Sequence, residues 1–324
     1  MGGLGYFLLS RTGALWHLYA GFALIAVNTS TTWTPIIATI SRWFDEKRVL
    51  ALGIVTGGIG LGQMLMPPLA AYLIEATGWR TAYIIIAAIT WLVVIPAAIP
   101  ARHSPQSVTL PADKNTSVYN EDESLLPITE WSLAEAVRTR AFWLLVALNV
   151  TLAATLFMAG IHIAAYATDV GITPTSAALV ITCMGGANIL SKIIVGGVSA
   201  KRGTRFAVFL FLGIETVALF AFAATRELWM FLIVAMLFGV GIGGAAPPLA
   251  AMVAEFFGLR SVGIIMGVIG VGWAAGCSLG TLLGDYIFDT AGSYVPAFLI
   301  TGGLAVITLV LVLLLRKPRK NQEA

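Results

Sequence analysis

Charge is scarce in this 324-residue chain. Asp, Glu, Lys and Arg make up 11% of it, hydrophobic residues 58%, and the mean hydropathy is +0.91. Soluble domains carry about 25% charged residues, so a water-soluble globular protein is excluded. Cysteine is nearly absent: Cys183 and Cys277, both in apolar runs, cannot build a disulfide scaffold and read as small hydrophobes. Histidine is as sparse, and His17, His103 and His162 lie too far apart to suggest a metal site. No G-x-S-x-G or H-E-x-x-H occurs, and Gly57–Gly62 is followed by no Lys-Ser/Thr that would make it a phosphate loop. No cofactor, no metal and no enzymatic activity are therefore expected. The net charge of +3 says little by itself, and no nucleic-acid partner is expected.

Long apolar runs are what the chain has in abundance. A bilayer core about 30 Å thick needs roughly 20 apolar residues per helix. Runs between charged residues give candidate spans at 15–40, 50–74, 81–101, 141–165, 174–200, 206–225, 228–253, 262–287 and 294–315. An apolar stub at 2–10 is too short to cross at about 1.5 Å per residue. It also lacks the basic start of a cleavable signal peptide and has Arg11 behind it. The fold class expected is thus an all-α polytopic membrane protein with nine full spans and a partial one, and lipid is its immediate partner.

Orientation follows from the cations. If 41–49, 102–140, 201–205, 258–261 and the C-terminal tail face the cytoplasm, fifteen of the 19 Lys and Arg residues lie inside. Arg11, Arg80 and Arg226 lie outside, and Lys192 lies within a span. A plasma-membrane protein (the inner membrane if bacterial) with a cytoplasmic C-terminus is expected. Segment 102–140, with Pro105, Pro111, Pro127 and the acidic Glu121, Asp122 and Glu123, reads as a solvated linker. Its end has the Ser132–Glu135 spacing of a capping box.

The chain also repeats itself. At an offset of 213, Pro35 meets Pro248, Ala38 meets Ala251 and Phe44 meets Phe257. At 214, Gly53, Gly58, Gly62, Tyr72, Glu75 and Gly78 meet Gly267, Gly272, Gly276, Tyr286, Asp289 and Gly292. The paired spans run in the same direction, so the repeats are parallel. Carried backwards, the offset maps 206–225 onto the stub and 141–200 to positions before Met1. A symmetric protein of twelve helices would then have two helices and part of a third upstream, about 70–80 residues more by span and loop lengths.

The stretch Arg42-Trp43-Phe44-Asp45-Glu46-Lys47-Arg48, the glycines Gly53, Gly58, Gly60 and Gly62, Pro67, and Gly78-Trp79-Arg80-Thr81-Ala82-Tyr83 resemble helices 4 and 5 of monocarboxylate and oxalate/formate carriers. These carriers are a branch of the major facilitator superfamily. Arg140-Ala141-Phe142-Trp143, His162 through Gly171 and Asp289 through Tyr294 match the same branch. The resemblance implies the superfamily's two-half fold, N-terminally truncated, and transport by alternating access. Residues 1–101 would be an incomplete N-terminal half (part of helix 3, helices 4–6) and 102–140 a cytoplasmic linker with a short amphipathic helix. Residues 141–315 would be the six-helix C-terminal half and 316–324 the tail. The superfamily's cytoplasmic motif survives only as a second copy, Gly196 through Arg205, with Ala200 where Asp is usual.

Lys192 is the sharpest site candidate. It lies eight residues, about 12 Å by helical rise, from the end of its span. A charge there costs at least about 2.5–3.5 kcal/mol and normally faces a bundle interior. Asn188 is one turn earlier on the same face, and a cation beside an amide suits a carboxylate. In the related carriers this helix bears a basic residue with Asp or Asn four residues before it. The alternative is a structural ion pair between Lys192 and Glu215, which lies about 15 Å deep on the next helix.

His162 and Tyr166, four apart near an outer helix end, are candidates for gating or protonation, with an interfacial Tyr beside a satisfied His as the plain alternative, and Glu215 is grouped with them as a coupling or gating candidate. Asn149 either lines the cavity or bonds a neighbouring helix. Thr31, Thr32 and Trp33, and Trp273 on the repeat's eleventh helix, are candidates to line the cavity or to pack. The reading favoured is a secondary carrier for a small organic anion, a monocarboxylate above all, working as a monomer by proton symport or anion exchange. In the resemblance, dianion carriers place a second cation on the eleventh helix, and 262–287 has no Lys or Arg. The alternative is a truncated, non-transporting product of such a carrier.

Overall fold

The computed structural model describes residues 1–44, 48–98, 131–258 and 261–318. Of the linker expected over 102–140, residues 102–130 lie outside the described residues, as do tail residues 319–324. All regular structure described is helical: α1 (Gly2–Ser10), α2 (Leu15–Trp43), α3 (Arg48–Thr77), α4 (Trp79–Ala98), α5 (Leu133–Ala136), α6 (Arg140–Asp169), α7 (Pro174–Arg202), α8 (Thr204–Phe222), α9 (Leu228–Phe257), α10 (Val262–Ala291) and α11 (Val295–Leu314). Eight of these, α3, α4 and α6–α11, are long and apolar enough to cross a membrane. In α2, the ninth long helix, the apolar stretch is shorter, Leu15–Thr29.

The ends of α2, α3, α6, α7, α9 and α10 run up to about a turn beyond the apolar runs. The run marks the hydrocarbon layer, while backbone hydrogen bonding carries the helix on through polar flanking residues. Caps stop it. The Thr139 hydroxyl accepts from the Phe142 N–H to open α6, and the Thr173 hydroxyl accepts from Ser176 ahead of Pro174 to open α7. Gly203 (φ 86°) ends α7 and Gly292 (φ 63°) ends α10, both left-handed positions that an L side chain resists. The predicted capping box forms at 3.3 Å from Glu135 N to Ser132 Oγ and 2.7 Å from Ser132 N to Glu135 Oε2. It opens α5, which docks through Trp131 N–H on the Phe257 carbonyl.

Packing shows the same plan twice. On the N-terminal side α1 lies against α2 and α4; on the C-terminal side α8 lies against α9 and α11. Within the C-terminal helices α7 runs along α9, and α6 along α10 and α11. The two groups meet where α3 lies along α7, and where Leu52 and Ala251 pack with Ile40, Val49, Ala250 and Met266. That second cluster draws α2, α3, α9 and α10 together at the end of the bundle bearing Phe44, Arg48, Gly258 and Ser261.

Lipid tails are as apolar as leucine, so membrane helices adhere by close van der Waals fit rather than by burial from water. Glycines supply that fit. Gly272, Gly276, Gly280 and Gly284, one per turn on α10, form a flat track against α6. A methyl group on Gly276 or Gly280 would strike the carbonyl of Val150 or Ala154, and one on Gly284 the His162 ring. Gly239 and Gly243 do the same for α9 against α7.

Candidate functional site

The seam between α3 and α7 holds the buried cation. Along it, Leu50 meets Gly196, Gly53 meets the Lys192 backbone, and Gly60 meets Gly185 and Asn188. Lys192 is 3% exposed, and its Nζ donates to the Thr56 carbonyl at 2.7 Å across the seam. The Thr56 hydroxyl is turned into its own helix, donating to the Leu52 carbonyl at 2.7 Å, so α3 offers Lys192 main chain and no side-chain charge. A charge-assisted hydrogen bond contributes about 1.5–3 kcal/mol, which offsets much of the cost of burying the cation and no more. Two of the three ammonium protons have no protein acceptor among the described residues.

Asn188, also buried, sits one turn away, and its Oδ1 has no partner among the described residues. Ser191 Oγ donates to the Asn188 carbonyl at 3.0 Å. The pair foreseen on α7 is thus assembled at one place, at the boundary between the two helix groups.

The alternative for Lys192, an ion pair with Glu215, is not formed. The two side chains have comparable depth but serve different interfaces. Glu215, 1% exposed on α8, takes its hydrogen bond from α6, with Thr155 Oγ1 2.7 Å from Oε1. Its Oε2 is buried and has no partner among the described residues.

The structure separates the remaining candidates from this seam. Asn149 bonds its own helix, Nδ2 donating to the Leu145 carbonyl at 2.9 Å, and of its two readings the bond to a neighbouring helix is not found among the described residues. Thr31 and Thr32 are exposed, and both hydroxyls donate to carbonyls one turn back on α2. The Trp33 side chain lies outside the described residues. Trp273 is half-buried and stands edge-on to Phe157 with ring centroids 6.4 Å apart, packed on the C-terminal core.

His162 and Tyr166 belong to a second polar cluster at the other end of α6. His162 Nε2 lies 3.2 Å from the Thr281 carbonyl and 3.8 Å from Asp285 Oδ1, so the satisfied-histidine reading holds. Tyr166 is not interfacial: it is 1% exposed among Phe231, Tyr294 and Phe298. Its hydroxyl donates to the Thr225 carbonyl at 3.2 Å and accepts from Arg226 at 2.7 Å. The neighbouring Tyr294 hydroxyl has its pKa raised, first by burial and then by the carboxylates of Asp285, Asp169 and Asp289. Sequence reasoning missed Thr56, Thr155, Thr225 and Arg226 as partners. A carbonyl carries no residue signature, and threonines are too frequent in these spans to single out.

Two groups of membrane helices meeting at a seam with a buried, under-bonded cation define a polytopic protein of the transporter type. Comparison with known proteins gives the family. The family model of the Major Facilitator Superfamily matches residues 1–163 and 144–324, and the chain belongs to that superfamily. In sequence it is similar to monocarboxylate transporter 13 of Rattus norvegicus (24% identity over 92% of this chain and 67% of that protein). It is similar as well to monocarboxylate transporter 11 of Homo sapiens (25%, 93% and 64%). The chain thus spans about two thirds of the length of these relatives. In structure it is similar to FucP, a major facilitator transporter crystallised in the outward conformation, with a TM-score of 0.70 at 14% identity over 98% of this chain and 80% of that one. A variant of that E. coli fucose:proton symporter matches with a TM-score of 0.72, also at 14% identity.

Proposed function

We propose that this chain carries a small organic monoanion across the plasma membrane by alternating access, with Lys192 as the group that receives the carboxylate. The observation behind this reading is a cation buried at the boundary of the two helix groups, held by a single backbone carbonyl. An arriving carboxylate offers Nζ a stronger acceptor than that carbonyl does. Asn188, whose terminal oxygen and nitrogen can exchange places, supplies a second polar contact one turn away. The monocarboxylate relatives support a carboxylate cargo. α10 contributes no Lys or Arg, which supports a single negative charge.

In this reading the cluster of Leu52 and Ala251 closes the cytoplasmic end, with the C-terminus on the same side. His162 and Tyr166 clamp α6 to α10 and α11 at the outer end, and Trp273 and Asn149 border the path. Uptake of labelled pyruvate, lactate and formate into proteoliposomes tests the proposal. Wild type is expected to take up at least one of them. Lys192→Gln is expected to lose uptake by about a hundredfold, the loss of one charge-assisted contact of roughly 3 kcal/mol. Lys192→Arg, which keeps the charge, shows whether the loss is one of chemistry or of folding. Failure of wild type with all three probes, or full uptake by Lys192→Gln, overturns the assignment.

A further inference from the structure

Glu215 is a second membrane-embedded ionisable group with no role in the substrate reading. It lies eleven residues into α8, about 16 Å by helical rise and near the bilayer centre. The elements around it bring no counter-charge. On α9 it faces the backbone of Gly241, whose missing side chain lets the Glu215 main chain approach, and the helix's only titratable group, Glu255, is held near its far end by Thr204 at 2.7 Å. α11 contains no titratable side chain. On α7, Lys192 bonds Thr56 instead, and Cys183, Lys201 and Arg202 make no contact with Glu215. On α6 the group facing it is Thr155, while Arg140, His162, Tyr166 and Asp169 lie elsewhere on that helix.

The Thr155 hydroxyl can partner either protonation state of Glu215. It has one hydrogen and two acceptors, the Leu152 carbonyl at 2.9 Å and Glu215 Oε1 at 2.7 Å. When that hydrogen is given to Leu152, the 2.7 Å contact is a hydrogen bond only if Glu215 carries a proton and donates it to Thr155. An ionised carboxylate would instead leave Oε2 as a bare buried charge without donor or cation, which is far costlier than a neutral acid in the same place.

The bond also joins elements that share no long interface, since α6 lies on α10 and α11 while α8 lies on α9 and α11. The bond therefore ties α6 to α8 whichever group supplies the hydrogen. Loss of the proton turns the Thr155 hydrogen toward Glu215 and leaves Oε2 in need of water.

We infer that Glu215, with Thr155, is the proton-binding site of this carrier, taking up one proton from water on one side and releasing it to water on the other as α6 moves. The inference rests on the transport reading above. It makes the coupling proton symport and places the proton on a carboxyl away from Lys192.

Infrared difference spectroscopy of the reconstituted protein over a pH titration reads the proton without any substrate. The carbonyl band of a protonated carboxylic acid is expected at neutral pH and is expected to vanish in Glu215→Gln. A wild type that shows no such band at neutral pH, or a band unchanged in Glu215→Gln, overturns the proposal.

Transport gives the second arm. An inward proton gradient should drive pyruvate accumulation by wild type and acidify a pyranine-loaded lumen. Glu215→Gln, which mimics the protonated acid, should cut gradient-driven accumulation by about ten-fold or more, a typical coupling energy. Exchange of pyruvate for pyruvate should survive much better. Equal loss of exchange and accumulation in a well-folded Glu215→Gln, or accumulation that still follows the gradient, rejects the coupling role. Absence of pyruvate, lactate and formate transport in wild type instead rejects the parent reading, while the infrared result stands on its own.

Discussion

The N-terminal and C-terminal helices share one packing plan but divide the work differently. In the C-terminal set, 56% of the hydrophobic window of α9 is buried by neighbouring helices, whereas α4 on the N-terminal side has 11% of its window covered. Polar chemistry follows the same split. Lys192, Glu215, His162 and Asn188 are buried on C-terminal helices; the buried polar side chains described on the N-terminal side are Ser10 and Thr56, both bonded to their own helix. Ionisable groups inside a bilayer normally face the interior of a helix bundle, and the densely packed set is the one that offers such an interior. The sparsely packed set contributes backbone and small residues to the seam.

Substitutions can break this contrast, and the largest effect is expected in the glycine track. Gly280→Leu forces α10 away from the Ala154 carbonyl and is expected to destabilise the C-terminal set by about 3 kcal/mol or more, at or beyond the usual range of overpacking, read as loss of monodisperse protein and a lowered Tm. A smaller change is expected at the polar cluster on α6. Tyr166→Phe removes the acceptor of Arg226 and the donor to Thr225, and is expected to cost about 1–3 kcal/mol in thermal unfolding. The smallest belongs to the N-terminal side: an alanine methyl on Gly57 points into open space, so Gly57→Ala is expected within about 0.5 kcal/mol of wild type. A Gly57→Ala variant as unstable as Gly280→Leu would erase the distinction between the two sets.

Much of the fold was legible because membrane helices announce themselves by length and hydropathy. The stub became α1, every apolar run became a helix, and the Ser132–Glu135 box opened α5 as expected. The buried site was legible in part. Lys192 and Asn188 stood out because charge and amide are costly in a span, and a four-residue spacing puts them on one face. Their partners were hidden. Depth along the membrane can be counted from a sequence, but the direction a helix face points cannot, which is why an ion pair of Lys192 with Glu215 stood as an alternative that the structure does not form. The contribution of Thr56 is a carbonyl, the one feature every residue shares.

The seam between α3 and α7 is contacted largely through main-chain atoms: the carbonyls of Thr56, Gly60 and Lys192 and the backbone beside Gly53 and Gly185. An interface specified in this way is indifferent to most side chains and intolerant of added bulk. Lys192 and Asn188 then stand in a joint whose shape is set by the backbones around them. Variation at the joint itself is limited to residues small enough to leave the two backbones within reach.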